Sequence, residues 1–251
     1  MTAIDELSGF YALWYREIKV FTREKSRIIS SLFTPILWLG VFGGGLGSAV
    51  SLSGVNYETF IFPGILAMTI LFTSVFFGLY IVWDKKIDFF KEVLVAPLSR
   101  TTIFMGKTVG GSVDSLIQGG AMLIFGLFIG VHYTLQSLLA ILGFMFVLAV
   151  MLVSVGLILG SNMESVEGFQ LISSFLIFPM FFFSGALFPT NNLPPYLLAL
   201  TMIDPVTYAV DGLRGLMLGT SAFPIPLDFA VMLIYTSIMV ALGVLSFKRL
   251  K

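Results

Sequence analysis

Five stretches of the chain carry no Asp, Glu, Lys or Arg: Ile28 to Tyr57, Thr59 to Trp83, Ser115 to Met163, Gly168 to Ile203 and Phe229 to Phe247. A crossing of the bilayer core needs about 20 apolar helical residues. Backbone in lipid must satisfy its own hydrogen bonds, so such runs predict helices. Barrel strands would instead alternate polar and apolar positions over about 10 residues. The 49 residues from Ser115 to Met163 are too many for one crossing, and a turn at His132-Tyr133-Thr134 divides them. Spans are predicted near 28–50, 59–82, 107–130, 137–160, 168–187 and 227–247. The expected fold is an all-α integral membrane protein forming one transmembrane domain over 1–251. It has six transmembrane helices, an N-terminal interfacial amphipathic helix, and a re-entrant helical region between spans 5 and 6.

The polar intervals carry their own patterns. Over 4–22, Leu7, Phe10, Tyr11, Trp14, Ile18 and Phe21 recur at helical spacing, with Arg16, Lys19 and Arg23 elsewhere. This predicts a cytoplasmic helix within 4–27 lying in the interface plane; the alternative is a helix packed on another subunit. A short polar loop is expected over 51–57. In the charged segment 83–106, Ile87, Phe90 and Leu94 fall on one helical face. Pro97 stops that helix, and Ser99 is placed to cap the next span. Such a short amphipathic helix suits docking of a cytoplasmic partner, with a solvated connector as the alternative. In 188–225, Asp204-Pro205 reads as a helix start. Tyr196 to Ile203 is too short to cross the bilayer and suits a broken helix dipping back into it; an ordinary loop is the alternative. Asp211 and Arg214, three apart, could pair.

Composition agrees. The chain is 57% hydrophobic and 11% charged, against about 25% charged in soluble domains. A mean hydropathy of +1.00 requires apolar surface facing lipid. The formal net charge of zero argues against a nucleic-acid partner. With six spans, thirteen Lys and Arg fall on the side of the termini and Arg214 alone on the other, so both termini are expected in the cytoplasm. The acidic loop 161–167, with Glu164 and Glu167, has no Lys or Arg but counts little in that rule. Cysteine is absent, and the start of the chain does not read as a secretory signal.

Little points to chemistry within the chain. There is no G-x-x-x-x-G-K-[ST] phosphate loop, so no bound cofactor and no enzyme activity of its own are expected. Gly43 to Gly47 reads as a flexible or close-packed helix end. The single histidine, His132, makes a poor metal site, and no metal is expected. Asp114, with Gln118 one turn on, is the one acid inside a predicted span. It suits either a transport-path role or an interhelical hydrogen bond. Gly126 and Gly130 have the spacing of a close-packing helix face. The 26 Phe and 12 Met are explained by lipid-facing and core packing.

Two motifs together resemble a known family. Glu92-Val93-Leu94-Val95-Ala96-Pro97-Leu98-Ser99-Arg100, followed by Gly106-Lys107, resembles the first cytoplasmic loop of type-2 ABC-transporter permeases, the membrane subunits of drug-resistance, nodulation-factor and polysaccharide exporters. Phe183-Ser184-Gly185-Ala186-Leu187-Phe188-Pro189, Leu193-Pro194 and the run from Asp204 to Arg214 resemble that family's signature after span 5. Asp204 departs from the Asn more usual there. The resemblance implies a permease subunit whose dimer forms the translocation path, a homodimer being favoured over a heterodimer. It implies two copies of a separate cytoplasmic ABC ATPase, which would bind ATP and Mg. Lys91, Glu92, Pro97 and Arg100 would belong to the ATPase-coupling segment. Ser184, Gly185, Pro189, Pro194, Asp204, Pro205, Tyr208 and Arg214 would form a re-entrant outer gate. The implied location is the cell membrane of a bacterium or archaeon. A self-sufficient secondary transporter or channel is the competing reading. It calls for several polar groups near the midplane, where Asp114 is the only charged candidate and lies off-centre.

Overall fold

The computed structural model describes residues 3–23, 25–47, 56–190 and 193–250. The polar loop expected over 51–57 falls almost wholly outside them, as do Asn191 and Asn192 of the 188–225 segment. The helices are Ala3–Arg23 (α1), Lys25–Trp38 (α2), Gly44–Leu46 (α3), Tyr57–Phe76 (α4), Leu79–Lys86 (α5), Phe89–Val95 (α6), Arg100–Phe128 (α7), Leu135–Asn162 (α8), Val166–Phe183 (α9), Pro195–Ile203 (α10), Pro205–Leu218 (α11) and Ile225–Lys248 (α12). No strand occurs among the described residues.

Five helices among the described residues are long and apolar enough to cross a bilayer: Tyr57–Lys86, Arg100–Phe128, Leu135–Asn162, Val166–Phe183 and Ile225–Lys248. They coincide with predicted spans 2 to 6. The first predicted span, 28–50, is helical from Lys25 to Leu46 through a π-helical turn at Leu39–Gly43. Among the described residues it contributes the apolar helix Leu32–Gly43. The glycine run at its end is helical as far as Leu46, and a methyl group on Gly43 would meet Glu58 Cγ at 2.5 Å.

α4 is the central helix. Ile61, Phe62, Ile65, Leu66, Ile70 and Leu71 are fully buried, against α7, α8 and α11. Where α4 turns into α5, backbones touch. A Cβ on Gly156 would lie 2.3 Å from the Val75 carbonyl oxygen, and one on Gly160 2.2 Å from that of Gly78. Only glycine allows α8 this close. Gly126 likewise faces Phe62 (2.5 Å to a built Cβ), but Gly130 does not share that face. Gly130 has φ +84° and ends the helix, so the predicted Gly126/Gly130 packing pair is corrected to one packing glycine and one helix stop.

One end of the bundle gathers α1, α5, α6 and the C-termini of α8 and α12. Phe90 and Phe104 meet Phe247 edge-on at 6.2 and 5.2 Å. Ser161 and Ser246 hydroxyls lie 2.9 Å apart. Lys85 Nζ donates to the carbonyls of Gly160 (3.2 Å), Ser161 and Met163 (3.3 Å), capping the last turn of α8, where the helix dipole favours a cation.

α1 has a buried line that the hydrophobic pattern does not mark. Its buried line is Leu13, Glu17 and Phe21, while Leu7 and Tyr11 of the predicted apolar stripe are exposed. The helix lies along α7 of its own chain, seated over Gly106 and Gly110, where built Cβ atoms would lie 3.0 Å from Leu13 Cβ and 2.7 Å from Glu17 Cβ. A carboxylate occupies the buried line because a cation, Lys107, faces it.

Candidate functional site

The segment between α5 and α7 holds the first group of predicted residues. α5 ends at Lys86, and Asp88 is left-handed (φ 58°). The break restarts the helical phase, so Ile87 does not share a face with Phe90 and Leu94. Ile87 is 68% exposed, whereas Phe90 and Val93 are buried. α6 then runs for seven residues, ending before Ala96, which Pro97 holds extended (ψ 145°). Lys91, Glu92 and Pro97 are exposed. Lys91 pairs with Asp88 at 2.7 Å. Arg100 turns inward, and its Nη1 donates to the Leu94 carbonyl at 3.0 Å.

This segment is pinned to α1. Ser99 caps α7 by accepting from the Thr102 N–H at 3.1 Å, as its position predicts. The Glu6 carboxylate accepts from the Ser99 N–H (2.9 Å), the Ser99 hydroxyl (3.1 Å) and the Thr102 hydroxyl. These donors, Thr102 foremost, hold the Glu6 pKa below its ordinary value. An anion at a helix N-terminus also meets the positive end of the dipole.

Beside the clasp lies a group the sequence reading missed. Lys107, fully buried, donates to Glu17 Oε1 at 3.1 Å and to Asp84 Oδ2 at 2.9 Å. Arg16 donates to Glu17 at 2.9 Å and to Asp84 at 3.4 Å, and its guanidinium lies 4.3 Å from the Phe89 ring centre. Two acids and two bases thus join α1, α5 and α7, with α6 alongside. Little in the sequence marked it beforehand, because Glu17 and Asp84 stand among five other acids of the same segments, Asp5, Glu6, Glu24, Asp88 and Glu92.

At the opposite end, the motif after span 5 is a tight turn. Ser184 Oγ donates to the Phe181 carbonyl at 2.7 Å and accepts from the Ala186 N–H at 3.3 Å. Gly185 has φ +70°. Two distant side chains hold the turn: Arg214 Nη2 donates to the Gly185 carbonyl at 2.8 Å, and the Tyr57 hydroxyl to the Leu187 carbonyl at 2.9 Å. Pro189 and Pro194 are exposed, and α10 starts directly after Pro194. Asp204 caps α11 by accepting from the Val206 N–H at 3.0 Å, with Pro205 in the first turn. The Tyr208 hydroxyl donates to the Met202 carbonyl at 2.9 Å, tying α11 back to α10.

Asp211 and Arg214 do not pair with each other as the spacing suggested. Asp211 accepts from the N–H groups of Ala222 (2.9 Å) and Phe223 (2.8 Å). Arg214 stacks 4.2 Å over the Phe60 ring. Each is buried and serves a separate loop, and only the tertiary fold supplies those partners.

Between the two ends, α4 and α7 share a polar seam. The Ser74 and Ser115 hydroxyls lie 2.8 Å apart, and Thr73 Oγ1 donates to Ser115 Oγ at 3.2 Å. Asp114 and Gln118 are both buried. Gln118 borders a cavity of about 260 Å³ between α2, α4 and α7.

Residues 8–218 match the family described as ABC-2 type transporter. Among curated relatives, the inner membrane transport permease YadH of Escherichia coli strain K12 is 26% identical over 89% of this chain and 88% of its own length. The ycf38 protein of Porphyra purpurea is 32% identical over 76% of this chain and 68% of its own. Nodulation protein J of Rhizobium leguminosarum bv. viciae is 24% identical over 90% and 89%.

Proposed function

We infer the function from kinship and geometry together: the chain belongs to the ABC-2 type transporter family, and it is a membrane permease subunit of an ABC transporter. Our reading goes further. Two copies of the chain form an export path, driven by two copies of a separate cytoplasmic ABC ATPase that binds ATP and Mg. α2 and α3 belong to a sixth span, α10 and α11 form a re-entrant outer gate, and both termini lie in the cytoplasm of a bacterial or archaeal cell.

The observation that carries the reading is α6. This seven-residue helix stands between two candidate spans, set off by left-handed Asp88 and by Pro97. It offers Lys91, Glu92 and Val95 to solvent, next to exposed Ile87. Its inner face rests on Phe247, and Arg16 of the ion cluster covers Phe89. A push on α6 would therefore reach α1, α7 and α12. In this mechanism the ATPase supplies a differential binding energy, and the permease pair supplies the two-state element. For the outer gate, α10 has nine residues, about 14 Å of helix, too short to cross the bilayer and suited to dipping into it.

Purification from native membranes in mild detergent, followed by mass spectrometry, tests the partner. A stoichiometric phosphate-loop ATPase is expected. A chain that purifies alone and transports without ATP would overturn the reading in favour of an autonomous transporter. Within the complex, Glu92→Ala with Pro97→Gly is expected to lower substrate-stimulated ATP hydrolysis with membrane insertion intact.

A further inference from the structure

We propose that the groove between the C-terminal halves of α8 and α12 holds an anionic phospholipid, its phosphate at Arg249 and one acyl chain along the groove. The groove encloses about 450 Å³. Val155 and Leu159 of α8 and Met239, Leu242 and Leu245 of α12 wall it, and Asn162, Ser246 and Arg249 stand at one end. The apolar wall is open: Leu242 is 47% and Leu245 52% exposed. The polar end is reachable too, because Asn162 and Arg249 are exposed. Most of that end is taken up by its own bonds. Asn162 Nδ2 donates to the Ile158 carbonyl at 2.7 Å and to Ser246 Oγ at 3.2 Å, and the Ser246 and Ser161 hydroxyls share a bond of 2.9 Å. Arg249 differs. It forms no ion pair with a described residue, and a guanidinium offers five N–H donors in a fork that fits a phosphate.

Depth, charge and symmetry choose the occupant. α12 has 24 residues, about 36 Å of helix, against a hydrocarbon core about 30 Å thick. Its last turn therefore emerges among the headgroups, where Lys248 and Arg249 stand. From Arg249 back to Met239 is ten residues, about 15 Å of helix, or half the core. The groove thus spans one leaflet, with its cation at the level of the phosphates and its leucines at the level of the acyl chains. The sequence adds Lys248 and Lys251 within two residues of Arg249, and none of the described lining residues is acidic. Glu164, which follows α8, acts on Lys85 instead. Basic side chains clustered at this level favour an anionic lipid over a zwitterionic one. A second copy of the chain fits poorly, because an isologous contact through the groove would set Arg249 against its own copy, like charge against like. The proposal goes beyond the permease reading and needs only that the chain spans a bilayer.

The test is photolabelling of the full chain in nanodiscs of phosphatidylcholine, with labelled peptides mapped by mass spectrometry. The probe is phosphatidylglycerol carrying a diazirine part-way along one acyl chain, and the control is phosphatidylcholine carrying the same diazirine. Labelling of Val155–Leu159 and Met239–Leu245 is expected, about fivefold stronger with the anionic probe. Arg249→Gln should remove most of that preference. Leu242→Trp, which fills the groove and leaves the charge in place, should abolish labelling of both segments. Equal labelling of the parent chain by the two probes would overturn the proposal. So would an unchanged preference in Arg249→Gln, or unchanged labelling in Leu242→Trp. Cross-links joining α12 of two copies, in place of lipid adducts, would show a protein interface there and overturn it as well. Both substituted side chains are exposed, so both variants should fold; where one does not, the two probes on the parent chain decide. The assay contains neither ATP nor an ATPase, so its failure would leave the permease reading standing.

Discussion

Two polar regions of α7, about three turns apart, are built on opposite terms. Toward its N-terminus, the charges of Arg16, Glu17, Asp84 and Lys107 close on one another, and every one of them has a partner of opposite sign. At mid-depth, the Gln118 amide is as deeply buried as Lys107 and meets no partner at all. Burial therefore does not by itself say whether a polar group is satisfied; that depends on whether its neighbours complete its hydrogen bonds. The closed cluster fastens α1 and the base of α5 to α7. The open amide stays closed off from solvent, beside the cavity between α2, α4 and α7.

Lys107→Met gives the largest expected effect. It leaves Glu17 and Asp84 buried with only the half-exposed Arg16 between them. Removing one partner of a buried ion pair costs about 3–5 kcal/mol, so a much lower unfolding temperature in detergent and poor yield are expected. Asp84→Asn in the Lys107→Met background restores one acid against one base and should recover part of the loss. A double variant no better than Lys107→Met would show that packing of the lysine stem, not charge balance, holds this end together.

Gln118→Met probes the other side of the comparison and should change stability in the opposite direction. Replacing an unsatisfied buried amide by an apolar side chain of similar size removes a penalty of about 1–3 kcal/mol. In detergent stripped of lipid, the variant should unfold at a higher temperature than the parent chain. A lower temperature would mean that the amide is satisfied and that the two regions do not differ in kind.

What the sequence made legible follows from the range of the interactions. Spans 2 to 6 were readable because a missing charge over 20 residues is a local fact, and so were the caps at Ser99 and Asp204, whose partners are three and two residues away. The phase of Ile87 was lost to one left-handed residue, Asp88, which nothing in the hydrophobic pattern marks. The buried line of α1 was missed because Glu17 pairs with a lysine 90 residues on. A lysine at the foot of a span ordinarily reads as reaching for the interface. Asp211 and Arg214 were assigned to each other on spacing, whereas their partners are loop backbone 11 and 29 residues away. Gln118 was singled out for its place in an apolar run, but its lack of partners is a property of three packed helices.

Arg16→Gln gives the smallest effect and sharpens the comparison within the closed cluster itself. Arg16 touches the same two carboxylates as Lys107, so a count of contacts would rank them equal. Their exposure differs: the Arg16 side chain is 34% exposed and that of Lys107 0%. Water screens and replaces the outer cation, so its pairs should contribute no more than about 1 kcal/mol. The remaining loss would come from the guanidinium face over Phe89. A small drop in unfolding temperature is therefore expected for Arg16→Gln, well short of that for Lys107→Met, and the gap should narrow little in high salt, because the buried pair is weakly screened. Equal effects would mean that the cluster works as one cooperative unit, with burial acting on all four charges together rather than on Lys107.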